Sequence, residues 1–163
     1  MKQLFIYLNL VLFMALVSCQ SDVEINLSDD GLHDLVFDST LATEYGADAY
    51  GMKKYVIAFL KRGNNTDIDA DSSRALQMAH LENIERMAKD GKLVLAGPFL
   101  DSDDLRGIYI FNVQSIDEAR DLTNSDPAIK AGILQMELKE WYGSAALMAI
   151  NDLHHRLSQK KVY

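Results

Sequence analysis

The chain has 163 residues, 48% hydrophobic and 25% charged. That is enough for one domain with a real apolar core, too few for two ordinary ones, and unlike a disordered or collagen-like chain. A formal charge of −8 argues against nucleic acid and against a polybasic membrane patch, and a lone cysteine excludes an intrachain disulfide framework and a cysteine-rich zinc site.

Residues 1–18 begin Met-Lys-Gln and continue as an apolar run from Leu4 to Val17, broken by Asn9. This is the secretory signal pattern, and the run falls short of the about 20 apolar residues of a membrane span. It ends in Leu16-Val17-Ser18-Cys19, which resembles the lipobox of bacterial lipoproteins, in which the cysteine is lipidated and becomes the mature N-terminus. A plain signal peptide with an incidental cysteine is the alternative. The expectation is a cell-envelope protein, outer-membrane or periplasm-facing, touching the membrane only through lipid on Cys19. Residues 19–51 then form the lipidated N-terminus, a polar tether and a short helix, capped at Asp38 and stopped at Gly46.

From residue 52 the pattern becomes that of a packed domain. Residues 52–60 read as a strand, 61–72 as a polar loop, 73–90 as a helix ended by Gly91, and 92–97 as a second strand closed by Gly97-Pro98. Residues 106–113 read as a third strand. Ser115-Ile116-Asp117-Glu118 resembles a capping sequence that opens a helix, and Asp126-Pro127 opens another turn. Residues 133–141 form a fourth strand and 144–157 a terminal helix.

The order β-α-β-β-α-β is the ferredoxin-like arrangement, an α+β fold with antiparallel sheet order 4-1-3-2. Strands one and three are apolar on both faces, as central strands should be. In strand four Leu134, Met136 and Leu138 alternate with Gln135, Glu137 and Lys139, as at a sheet edge with one wet face. Both helices cover one face, so the other needs a cover: a second protomer stacked on it, the terminal helix with Leu147, Ile150 and Leu153, or both.

The stretch Met52–Ser144 resembles the YciI (YCII-related) family. The resemblance is carried by Lys54-Tyr55-Val56-Ile57, His80-Leu81-Glu82-Asn83-Ile84 and the run Lys89-Asp90-Gly91-Lys92-Leu93-Val94-Leu95-Ala96-Gly97-Pro98-Phe99. It continues through Gly107-Ile108-Tyr109-Ile110-Phe111, Asp126-Pro127-Ala128-Ile129-Lys130-Ala131-Gly132 and Trp141. It implies a domain over residues 52–143, followed by a C-terminal helix and tail over 144–163. It also implies a dimeric α/β-barrel of two ferredoxin-like protomers and a cleft with a His–Asp pair, His80 and Asp126, proposed as catalytic. Some relatives act on small cyclic or chlorinated aromatic compounds.

Taken as residues alone, His80 lies in the helix stripe with Leu76, Ile84 and Met87, where an imidazole is either a core side chain with a satisfied hydrogen bond or a poised acid or base. Asp126 before Pro127 is a common helix start, and a carboxylate there can also orient a histidine. Gly97 and Pro98 read first as a turn and, on the resemblance, as backbone that a ligand approaches. Tyr55, Phe99 and Trp141 read as core before pocket lining. The adjacent His154 and His155 do not make a metal pair, and the turn with Asp101, Asp103 and Asp104 does not make a calcium loop. Two functions follow: a cofactor-free enzyme moving a proton on a small organic ligand, by isomerisation or elimination, or a non-catalytic ligand-binding or structural envelope lipoprotein.

Overall fold

Strand β1 (Met52–Arg62) is the axis of the molecule, hydrogen-bonded along both edges to later parts of the chain. The computed structural model describes residues 36–101 and 103–160. The signal segment, Cys19 and most of the tether lie outside the described residues. Helix α1 (Ser39–Tyr45) starts where the Asp38 carboxylate accepts from Thr40 N and Leu41 N, and stops at Gly46, whose φ of 68° suits glycine.

After β1 come helix α2 (Ala70–Lys89), strands β2 (Leu93–Pro98) and β3 (Leu105–Phe111), helix α3 (Ile116–Asn124), the short turn α4 (Pro127–Lys130) and strand β4 (Leu134–Ser144). A 3-10 turn (Ala145–Ala149) and helix α5 (Ile150–Leu157) close the chain. The sheet is antiparallel with order β2-β3-β1-β4, the ferredoxin-like arrangement, and β1 and β3 are central. Helix α2 begins three residues earlier than the sequence pattern indicates, because Asp69 caps it from within the acidic loop, accepting from Asp71 N and Ser72 N.

On the helix side Val56, Ala58, Leu60, Leu93, Tyr109 and Phe111 meet Met87 of α2 and Ala119 of α3 in one buried cluster. On the other face Tyr55, Val94 and Ile110 form a second cluster, covered by Leu147 and Met148 of the C-terminal segment. Asn151 Nδ2 ties that segment to Leu93 O at 2.9 Å. The cover is partial: Ile57, Phe59 and Ile108 stay half-buried, and Leu153 is turned outward. A surface cavity of about 340 Å³ lined by Phe59, Lys61, Leu105 and Glu137 lies on this uncovered part.

Strand β4 is an edge strand whose outer residues are charged. Glu137 accepts from Lys61 Nζ at 2.5 Å and pairs with Lys139 Nζ at 2.9 Å; these two ammonium groups hold its carboxyl down to about 2. Among the described residues no helix is long and apolar enough to cross a membrane.

Candidate active site

The sheet-facing stripe of α2 changes character along its length. Near its C-terminal end it offers Met87, with Ile84 and Ala88 packed against the same core. One and two turns earlier the same stripe carries Asn83 and His80, each only 7% exposed. Two polar side chains in a packed stripe must find partners inside the protein, because an unpaired buried polar group costs about 1–3 kcal/mol.

The partner comes from α4. Asp126 is fully buried and caps that turn, with Oδ1 accepting from Ala128 N at 2.8 Å and Pro127 supplying the first helical residue. The turn is seated by a close backbone approach at the end of β1. A Cβ on Gly63 would lie 2.0 Å from Gly132 O, so only glycine fits. Gly63 N donates to Ile133 O at 2.8 Å, Asn65 N to Gly132 O at 3.0 Å, and Asn65 Nδ2 to Ala131 O at 2.9 Å.

So held, Asp126 presents Oδ2 to α2. His80 Nδ1 lies 2.8 Å from it and Asn83 Nδ2 donates to it at 3.2 Å. Burial pushes the Asp126 carboxyl up. The His80 hydrogen bond and charge, with the Ala128 N–H and the Asn83 amide, outweigh burial and leave it below its ordinary 3.8. Asp126 is therefore an anion that only accepts, so the network assigns the proton on His80 Nδ1. In the neutral imidazole Nε2 then carries the lone pair, 3.2 Å from the Tyr109 hydroxyl, which donates to it.

Each group is held in turn. The Tyr109 ring stacks on His80 with centroids 6.2 Å apart and meets Phe111 edge-on at 5.7 Å. Asn83 Oδ1 accepts from Arg86 Nη2 at 2.5 Å and from Ser125 Oγ at 3.3 Å, so the amide that steadies Asp126 is itself fixed. Among the described residues no buried side-chain nitrogen or oxygen lacks a partner.

The fold thus brings His80 and Asp126 together across 46 positions of sequence. Gly97 pairs with Ile108 at the end of β2, and strand alternation sets it on the sheet face away from Tyr109; Pro98 follows it as an exposed residue. Tyr55 is core, whereas Phe99 and Trp141 are 42% and 38% exposed. His154 and His155 are exposed, and among the described residues no three of His, Cys, Asp and Glu gather as metal ligands. A second surface cavity, of about 240 Å³, is lined by Arg120, Thr123, Ile129 and Met136. Sequence reasoning did not select Asn83 or Tyr109. The available signals were the spacing of Asn83 three residues after His80, and the parity of Tyr109 with Phe111 on a helix-facing strand surface.

The sequence pattern of the YCII-related domain matches residues 54–142. Over 62 residues the chain is 32% identical to the uncharacterized protein YjpA of Bacillus subtilis (strain 168), which covers 38% of this chain and 71% of that protein. A solved structure, 5-chloro-2-hydroxyhydroquinone dehydrochlorinase from Burkholderia phenoliruptrix AC1100 in complex with 2,5-dihydroxybenzoquinone, is similar at 22% identity with a TM-score of 0.41. It covers 55% of this chain and 93% of that one. Matched over more than half of its length, with the ferredoxin-like sheet order in place, the chain belongs to the YCII-related domain family.

Proposed function

We propose that this protein moves a proton on a small organic molecule, with His80 as the general acid and base and Asp126 as the residue that orients it and balances its charge. The supporting observation is the 2.8 Å contact between His80 Nδ1 and a buried, ionised carboxylate. Such a partner fixes the tautomer and stabilises the imidazolium formed when a substrate proton arrives. Isomerisation and elimination are the reaction classes that a single positioned acid–base group serves, and neither step requires a cofactor.

A generic probe tests this without knowledge of the natural substrate. In 5-nitrobenzisoxazole a base removes the ring C–H proton, the N–O bond breaks, and a coloured nitrile-phenolate is released. The wild-type chain should open it with saturable kinetics, and His80→Gln should lower the rate by about 10²-fold or more while remaining folded. Equal rates in the two proteins would refute the acid–base reading.

One observation favours a second reading, a non-catalytic ligand-binding or structural envelope protein: both imidazole nitrogens are engaged by protein groups, and the two cavities described lie away from His80. Under that reading His80→Gln costs stability and no turnover is found.

The proposal extends to assembly and location. The half-buried Ile57, Phe59 and Ile108 are the surface for a second protomer, and sedimentation should give a dimer that Phe59→Glu converts to monomer. Cys19 is the site of lipidation, and Cys19→Ala should release the protein from membranes; unchanged fractionation would end that idea.

A further inference from the structure

The C-terminal segment covers one end of the open sheet face with a helix that is apolar on its outer side as well. Leu147 and Met148 pack against Tyr55, Val94 and Ile110, and Asn151 Nδ2 holds Leu93 O at 2.9 Å. At 3.6 residues per turn Leu153 stands about 160° around α5 from Asn151, with Leu157 one turn further on. These two leucines therefore point away from the sheet, 49% and 81% exposed. Arg156 lies on the same side and Lys160 follows, both exposed. Asp152 is the one acid between residues 150 and 160, so this end is basic in a chain of formal charge −8.

The other end of the same face is its complement. Phe59, Ile108 and Gly97 stand in register across β1, β3 and β2. Phe59 and Ile108 are half-buried, and a Cβ on Gly97 would meet nothing within 4 Å, so the row ends in an open recess. Beyond it the β2–β3 turn exposes Phe99 and Leu100 and carries the exposed carboxylates Asp101, Asp103 and Asp104 against the single cation Arg106. From this pairing of ends, we infer that α5 is a clasp between two copies of this chain. Leu153 and Leu157 of each protomer seat over the partner's Phe59, the partner's Ile108 and the partner's Gly97, with Arg156 and Lys160 against the acidic turn. The inference rests on the proposed stacking of a second protomer on this face and specifies how the two copies meet.

Shape and charge select the same arrangement. The covered end of the face stands higher than the open end by the thickness of a helix. A two-fold axis along the strands would set cover against cover, oppose one basic helix to the other and hold both open ends apart. An axis across the strands sets each cover on the partner's open end, twice by symmetry. It also keeps the β2 side over the β2 side. Helix α5 lies beside β2, so it arrives at the partner's β2–β3 turn, where basic side chains meet acidic ones.

Sedimentation of the full-length chain in mild detergent tests the clasp. The wild-type protein should be a dimer. Leu153→Glu with Leu157→Glu alters side chains already in water, so far-ultraviolet circular dichroism should not change, while the dimer dissociation constant should rise about 10²-fold or more. Arg156→Glu with Lys160→Glu should raise it about tenfold, and adding Asp101→Lys and Asp103→Lys to that variant should recover most of the loss. A dimer untouched by the leucine pair but split by Phe59→Glu overturns the clasp and leaves the stacked dimer standing. A charge exchange that recovers nothing also overturns the clasp. A wild-type monomer overturns both, whether or not α5 binds vesicles of anionic lipid instead.

Discussion

Asn83 donates from its side-chain amide to Asp126 Oδ2, the same oxygen that His80 engages, so one carboxylate oxygen joins two residues a turn apart on α2 to the cap of α4. Asn83→Ala removes one donor from a buried anion and leaves Arg86 Nη2 without its 2.5 Å acceptor. Denaturant unfolding should show a loss of about 1–2 kcal/mol. Asn83→Asp should cost more, since it sets a second carboxyl against the first.

Asp126 has the largest expected effect on stability. A buried donor left unsatisfied costs about 1–3 kcal/mol, and Asp126→Ala takes the acceptor from His80 Nδ1, Asn83 Nδ2 and Ala128 N together, so a loss of about 3–5 kcal/mol is expected. Asp126→Asn keeps an oxygen and should cost about 1.5–3 kcal/mol. Thermal melts of the two variants check the order.

The depressed Asp126 carboxyl also sets a pH dependence. Its folded value lies below the ordinary 3.8, so its contribution is fully present above that pH and is lost as pH falls through the folded value. Glu137, held to about 2 by Lys61 and Lys139, acts in the same direction between its ordinary 4.5 and about 2. Melting temperature should therefore fall on acidification below about pH 4, less steeply in Asp126→Asn. Salt should weaken the exposed Glu137 part and spare the buried Asp126 part.

Gly63→Ala tests the seat of α4. The added methyl would meet the backbone of Gly132, which cannot rotate away as a side chain could. A loss of about 1–3 kcal/mol is expected, with Asp126 displaced from His80. The His80 side-chain nitrogen resonances should move in this variant although the substitution lies on a different element.

The strand order was legible because alternation and periodicity report which face a residue takes, and the two central strands are apolar on both. Boundaries were less legible where a side chain decides them. Asp69 caps α2 from a loop already rich in acids, and Ser144 caps a 3-10 turn over Ala145–Ala149, so the α-helical part of the terminal segment starts only at Ile150, later than its apolar spacing indicates. At the site the residues alone gave two ordinary readings, a core histidine and a helix cap. Both describe real contacts: Asp126 Oδ1 caps α4 while Oδ2 meets the imidazole. The resemblance paired them. Tyr109 and Asn83 stayed hidden because parity gives a face, and partners depend on how α2 lies across β3.

Trp141 packs its half-exposed ring over Gly143, where any Cβ would collide with it at 2.2 Å, and tilts against the buried Tyr55 on the sheet face away from helices α2 and α3. It is the chain's one tryptophan. The molecule therefore contains its own optical gauge of that surface: whatever settles there strips water from this indole and shifts its emission toward the blue. Candidate ligands can be screened by ultraviolet fluorescence on unlabelled protein, at a point whose position glycine alone permits.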